Sequence, residues 1–302
     1  MKIEALNRAD EALEERIKEL ERKCAEFDGS KGRLSLDNSL NVHPELNHLF
    51  LMYEEDTLIA VLTMFMPSAA EAEIFAYTLP GHRMRGCFSR LLEEARKELE
   101  KYGSPRLLYT VDSRSEPGAK VMERLSCKLT FTEYLMSYRE ETANLPEPAA
   151  SQIKLRAAEH NDVEELSRLS MKIFSESFED ARSRILSTLN SADRIQYLAL
   201  LDTRPIGLGA ASFESAEASI YGLGISPEHR GKGYGRELLL SMISDIKRKG
   251  DYKITLEVDS RNDIAFELYR KNGFVIERAI NYYREPEIIT AKISYNRPTP
   301  SA

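Results

Sequence analysis

Arg230-Gly231-Lys232-Gly233-Tyr234-Gly235 stands between a strand-like stretch, 219–225, and an amphipathic run that begins at Gly233 and ends near Lys249. Glycines let a backbone approach a ligand closely, and successive N–H groups at a helix start bind anions. Arg230, Lys232 and Arg236 add positive charge to the same turn. The combination suits a pyrophosphate. A tight strand-to-helix turn favours the same glycines, so the loop does not decide alone. The spacing is not the G-x-G-x-x-G of a dinucleotide site after a first strand.

Working outward, the loop proves to be written twice. At an offset of 147, Pro80 faces Pro227, His82 faces His229, Arg83 faces Arg230 and Gly86 faces Gly233. Leu91 and Leu92 fall on Leu238 and Leu239, and Val111-Asp112-Ser113-Arg114 falls on Val258-Asp259-Ser260-Arg261. One shared offset implies two copies of one fold. The stretch 141–152, ETANLPEPAASQ, has the composition of a linker. Two domains are expected, 1–145 and 146–302, a size suited to compact folding.

The periodicities predict strands alternating with helices, hence an α/β architecture with a mixed sheet. In the second copy strands are expected at 153–157, 196–201, 205–213, 219–225, 253–258, 274–283 and 288–295. Helices are expected from Asn161, with Glu164 three residues on, from Gly233 to Lys249, and over 263–271. Gly250 is expected to cap the second of these, whose last turn carries Lys247, Arg248 and Lys249. In the first copy Asn7 and Asp10 open a helix to about Phe27, followed by strands near 49–53 and 58–65.

Composition bounds the function. The 302 residues are 42% apolar and 30% charged, with a net charge of −7, which argues against a large nucleic-acid surface. Cys24, Cys87 and Cys127 show neither metal-ligand spacing nor a disulfide framework, so no metal is expected and reduced, cytoplasmic thiols are. The start lacks the apolar core of a signal peptide, and no apolar run approaches the roughly 20 residues of a membrane span.

A second motif lies beyond the next strand, in Asn262-Asp263-Ile264-Ala265-Phe266-Glu267-Leu268-Tyr269-Arg270-Lys271-Asn272-Gly273-Phe274. Together the two stretches resemble the GNAT superfamily of acyl-CoA-dependent N-acyltransferases, in which R-x-x-G-x-G follows the fourth strand and N-x-x-A-x-x-L-Y-x-x-x-G-F the fifth. The resemblance covers the second half and, more loosely, the first, so two tandem GNAT domains are expected. It implies that residues 230–236, namely Arg230, Gly231, Lys232, Gly233, Tyr234, Gly235 and Arg236, hold the pyrophosphate of acetyl-CoA. It implies that Leu223, Gly224 and Ile225 offer backbone groups to the pantetheine arm and the acetyl carbonyl, and that Asn262 contacts the cofactor.

Within GNAT, Leu256-Glu257-Val258, Leu268-Tyr269 and Asn281-Tyr282-Tyr283 are similar to RimI-type ribosomal-protein alanine N-acetyltransferases. That resemblance implies Glu257 as general base and Tyr269 as general acid, the latter also contacting the cofactor sulfur. Strand alternation separates Ile254, Leu256 and Val258 from Thr255, Glu257 and Asp259, so Glu257 can face a cleft while its neighbours fill the core. Asp259 and Arg261 recur as Asp112 and Arg114 and read as a fold-supporting pair; His82 and His229 read as turn residues.

The first copy departs where chemistry would lie. Met84 stands for Gly231, Phe88 for Gly235, Thr110 for Glu257, Ser115 for Asn262 and Met122 for Tyr269. It reads as a degenerate copy that shapes the acceptor site or holds the active half. Acetyl transfer to a primary amine, on a protein N-terminus or a small molecule, is the expected activity. The alternative is a CoA-binding sensor or scaffold without turnover. The segment 174–194 is expected to wall the acceptor site.

Overall fold

The computed structural model describes residues 1–30, 32, 34, 36, 38, 41–142 and 152–286. The expected strand at 288–295 and most of the linker lie outside the described residues. The chain clusters into two compact units: Met1–Thr130 together with the described residues from Asn281 on, and Phe131–Ile280.

In the first unit the strands run β1 (Lys2–Leu6), β2 (Leu49–Glu54), β3 (Thr57–Ser68), β4 (Glu71–Thr78) and β5 (Arg106–Asp112), neighbouring one another in that order. Helix α1 (Glu11–Asp28) starts at Asp10, whose carboxylate accepts from the Leu13 N–H at 2.8 Å. It ends at Gly29, in the left-handed conformation that a helix stop requires and glycine adopts without strain. Strand β3 is a nearly continuous buried run because it is covered twice. Leu58 and Val61 pack under α1, while Ile59, Leu62 and Met64 join Leu91, Leu92 and Ala95 of α2 (Cys87–Glu100). A short helix, α3 (Glu116–Arg124), follows β5. Strand β1, absent from the expectations, is short and half exposed; its polar alternation gives little apolar signal.

In the second unit the strand order is β12-β6-β11-β10-β9-β8-β7. The ranges are β6 (Lys128–Tyr138), β7 (Ile153–Ala157), β8 (Arg194–Leu201), β9 (Arg204–Glu214), β10 (Glu217–Ile225), β11 (Lys253–Asp259) and β12 (Phe274–Arg284). One face is covered by α6 (Tyr234–Lys249) and α7 (Asp263–Lys271), the other by α4 (Val163–Phe174) and α5 (Phe178–Leu189). The stripe Leu238, Leu239, Met242, Ile243 and Ile246 is buried against Ala218, Ile220, Ile254 and Leu256. On the other face Leu166, Ile173 and Ile185 close over Leu198 and Leu208.

Two local expectations are corrected. Helix α4 does not begin on Asn161: Glu159 and Asp162 form a reciprocal capping box around a 3-10 turn at His160–Asp162. Gly250 follows α6 in an extended conformation, φ 166°, and is not a left-handed cap. Residues 174–194 are largely helical, as α5, with Ser177 capping its start by accepting from the Asp180 N–H.

The boundaries between compact units fall inside β6 and inside β12. Strand β6 lies N-terminal to the linker in sequence, yet it pairs antiparallel with β11, Leu135 facing Glu257 and Tyr134 facing Val258. The division at 145/146 therefore remains a proposal about where the two sequence copies join, distinct from how the chain packs.

Candidate active site

Strands β10 and β11 run parallel, and their pairing stops at Ile220–Leu256. Both continue past that point, β10 to Ile225 and β11 to Asp259, so the strands part. Their outer edges stay covered, since Gly224 and Ile225 pair with Leu208 and Gly207 of β9 while Glu257 and Asp259 pair with Leu135 and Glu133 of β6. What opens is a cleft between the inner edges, where among the described residues β10 and β11 no longer pair with each other. A bulge between Tyr221 and Gly224 marks the parting, with Gly222 at φ +57°. The sequence carried a signal for it in two glycines, Gly222 and Gly224, inside a strand pattern. In the first unit, β4 pairs with β3 without a register shift from Glu73 to Thr78. There the Thr110 hydroxyl, at the place of Glu257, donates to the Ile74 carbonyl at 2.9 Å and bridges the two strands.

The loop at the end of β10 leads into α6. Gly231 and Gly233 both have positive φ, +74° and +89°, and a Cβ on either would meet nothing within 4 Å. Their freedom serves the turn and leaves open space in front of it. Among the described residues, no acceptor takes the backbone N–H groups of Gly231, Lys232, Gly233, Tyr234 and Gly235. Five successive donors at a helix start form an anion cradle. The Tyr234 ring is buried in the core, so only its N–H faces the cradle side. Ile225 is likewise buried and Leu223 packs against the same core, which leaves Leu223, Gly224 and Ile225 to act through backbone.

The cations of this loop have neutral partners. Arg230 donates to the carbonyls of Ile225 (3.0 Å) and Ile173 (3.1 Å), tying β10 to α4. Lys232 donates to the Glu228 carbonyl at 3.1 Å, and Arg236 to the Asn272 side chain at 2.9 Å. Among the described residues no carboxylate neutralises them. The first unit keeps the backbone, with Met84 at φ +63° and Gly86 at φ +77°, but not the charge. Arg83 is held bidentately by Asp28 at 2.7 and 2.9 Å, and Arg85 by Glu54 at 3.1 Å. A phosphate there would have to compete with carboxylates.

Glu257 is exposed, while Leu256 and Val258 on either side are buried. It points to the face of the sheet on which Tyr221 reaches the Thr188 hydroxyl of α5 at 3.2 Å. Tyr269, on α7, lies on the opposite face, 7% exposed in the core with its ring 5.9 Å from that of Phe274. Burial pushes its phenol up to about 12. Glu257 and Tyr269 thus lie on opposite faces of the sheet. Asn262 caps α7, its side chain accepting from the Ala265 N–H at 3.1 Å. Asp259 and Arg261 form a local turn, the Arg261 N–H donating to Asp259 at 2.8 Å, as Arg114 does to Asp112 at 3.0 Å. Hydrogen bonding from Arg261 holds the Asp259 carboxyl below the usual range. Among the described residues no group of three or more His, Cys, Asp or Glu is placed to hold a metal, and no helix is long and apolar enough to cross a membrane.

The family model described as acetyltransferase (GNAT) family matches residues 163–274. The [ribosomal protein bS18]-alanine N-acetyltransferase of Haemophilus influenzae is 33% identical over 99 residues, 32% of this chain and 67% of that enzyme. Other curated relatives are covered over 19–55% of their length. A GCN5-related N-acetyltransferase from Sphaerobacter thermophilus has a TM-score of 0.76 at 19% identity, covering 93% of this chain and 95% of that one. A tandem GNAT protein from the clavulanic acid biosynthesis pathway has a TM-score of 0.69 at 16% identity, covering 93% and 98%. Both halves thus share the architecture of a tandem GNAT protein, and the chain belongs to the GNAT family of acetyltransferases.

Proposed function

We propose that the second unit binds acetyl-CoA and transfers its acetyl group to a primary amine, and that the first unit does neither. The observation that carries this reading is the parting of β10 from β11 beside a donor cradle whose three cations have no carboxylate partner among the described residues. The first unit has the cradle without the bulge or the free charge.

Residues 231–235 would take the pyrophosphate on their N–H groups, with Lys232 and Arg236 in reach and Arg230 holding the loop in shape. The edge of β10 from Leu223 to Ile225 would pair with the pantetheine arm as a missing strand would. Acetyl-CoA supplies the activated acyl group. Glu257 would accept the proton of the incoming ammonium, directly or through water, and the free amine would attack the thioester carbon. As the tetrahedral intermediate collapses the C–S bond would break, Tyr269 would give its proton to the leaving thiolate, and the second proton lost by the attacking nitrogen would return through water to the tyrosinate. Asn262, spent on capping α7 through its oxygen, has its amide group left for the cofactor.

The competing reading, a CoA-binding sensor without turnover, is separated by product analysis. Intact protein with acetyl-CoA and a panel of peptides and small amines should yield N-acetylated product by mass spectrometry. Cofactor binding with no acetylated product from any amine would favour the sensor.

A further inference from the structure

The acceptor side of the cleft holds one charged group whose placement the proposed chemistry has not yet used. Arg184 projects from α5 across the bulge of β10, its Nη1 3.7 Å from where a Cβ on Gly222 would stand. Its other nitrogen is pinned: Nη2 donates to the Ser170 hydroxyl at 2.7 Å and to the Glu176 carboxylate at 2.5 Å. The guanidinium carbon lies 5.8 Å from the centre of the Phe174 ring. The side chain is 34% exposed. Among the described residues nothing accepts from Nε or Nη1, so Nη1, the nitrogen nearest Gly222, keeps its N–H groups for a ligand over the place where β10 and β11 part. A carboxylate or another anion can accept a charge-assisted hydrogen bond there.

We infer that Arg184 reads an anionic group on the acceptor, and that the acceptor is a small amino acid rather than a protein N-terminus. This rests on the proposed transfer at Glu257. Gly222 lies two residues past the last pair on β10 and Glu257 one residue past it on β11, on the face that α5 covers. Strand spacing and rise put their backbones on the order of 5–10 Å apart. With Glu257 and Arg184 both reaching toward the cleft, the ammonium and the anion of one acceptor must lie within a few bonds of each other. An α-amino acid meets that spacing. A protein N-terminus does not, because its first carboxylate is replaced by a neutral peptide carbonyl. Phe174, 41% exposed, lies beside the guanidinium and offers an apolar surface to the acceptor's side chain.

The test compares free amino acids with their carboxamides as acceptors, alanine and phenylalanine among them, for the wild-type chain, Arg184→Gln and Arg184→Lys. The wild type should prefer the acid over the amide in kcat/KM by about 10- to 100-fold, the range of charge-assisted hydrogen bonds. Arg184→Gln should abolish that preference, and Arg184→Lys, which keeps the charge and the pairing with Glu176, should retain part of it. Acetyl-CoA affinity, measured in the same samples, should be unchanged and reports that each variant is folded. If the wild type binds acetyl-CoA but acetylates amides or peptides as well as or better than acids, or acetylates neither kind, the assignment of Arg184 is wrong. If Arg184→Gln keeps the preference for acids, it is equally wrong. Failure to bind acetyl-CoA at all would instead remove the reading of the cleft on which it rests.

Discussion

Glu257 leaves β11 one residue beyond its last pairing with β10, exposed between two buried neighbours. An acceptor amine arrives mostly protonated, so a carboxylate there should matter most at low pH. Glu257→Gln is expected to lower kcat/KM by about 10²–10⁴ with little change in acetyl-CoA affinity, and the deficit should shrink as pH rises. Tyr269 works in the opposite sense. Burial raises its phenol to about 12, so the group stays protonated and able to donate throughout the neutral range. The wild-type pH–rate profile should therefore rise with pH and show no descending limb up to about pH 10, because the acid ionises only above that. A descending limb near neutral pH that disappears in Tyr269→Phe would contradict the buried environment described here. The strand alternation around Glu257 was legible in the sequence, since a period of two needs only the residue pattern. The carbonyl partners of Arg230 were not, because one of them, Ile173, lies 57 residues away.

At the scale of elements, the cleft depends on how closely α4 approaches β10. A Cβ added to Gly224 would come within 2.3 Å of Ile173 Cγ2 and 3.1 Å of Phe174 Cζ. Gly224→Ala should therefore destabilise the chain by about 1–3 kcal/mol, the usual cost of overpacking, in a urea titration. Gly235→Ala makes only ordinary contacts, 3.8 Å to Leu268 and 3.9 Å to Ile225, and should unfold within about 0.5 kcal/mol of the wild type. Equal losses for the two would mean that the approach of α4 is not the constraint. Helices α6 and α7 were legible because each has a continuous apolar stripe and, for α7, a capping side chain at Asn262. Helix α5 was not, because its surface mixes acidic and basic residues and its buried positions are few: Ala181, Ile185 and Thr188. The bulge escaped for a different reason. The repeat aligns without a gap from Pro80 onward, and the extra residue of β10 lies just before that point.

For the whole molecule, the repeat revealed two copies but not which strands each compact unit uses. Pairing of β6 with β11 joins residues more than a hundred positions apart, a contact that no local pattern encodes. It has a consequence for dissection. A fragment spanning 151–302 would lack β6, exposing the edge of β11 beside Glu257 and removing Met136 and Tyr134 from the core. It should fail to show a cooperative unfolding transition, whereas a fragment spanning 131–302 should show one. Functional asymmetry is therefore best measured in the intact chain. Gly233 and Gly86 occupy equivalent turns, both with positive φ and both with open space before them. Valine at either place imposes the same kind of backbone strain, so stability alone does not distinguish them. Calorimetric titration of the intact chain with acetyl-CoA does. One site per chain is expected, lost or weakened at least tenfold in Gly233→Val and unchanged in Gly86→Val. Two sites per chain, or a site lost in Gly86→Val and kept in Gly233→Val, would contradict it.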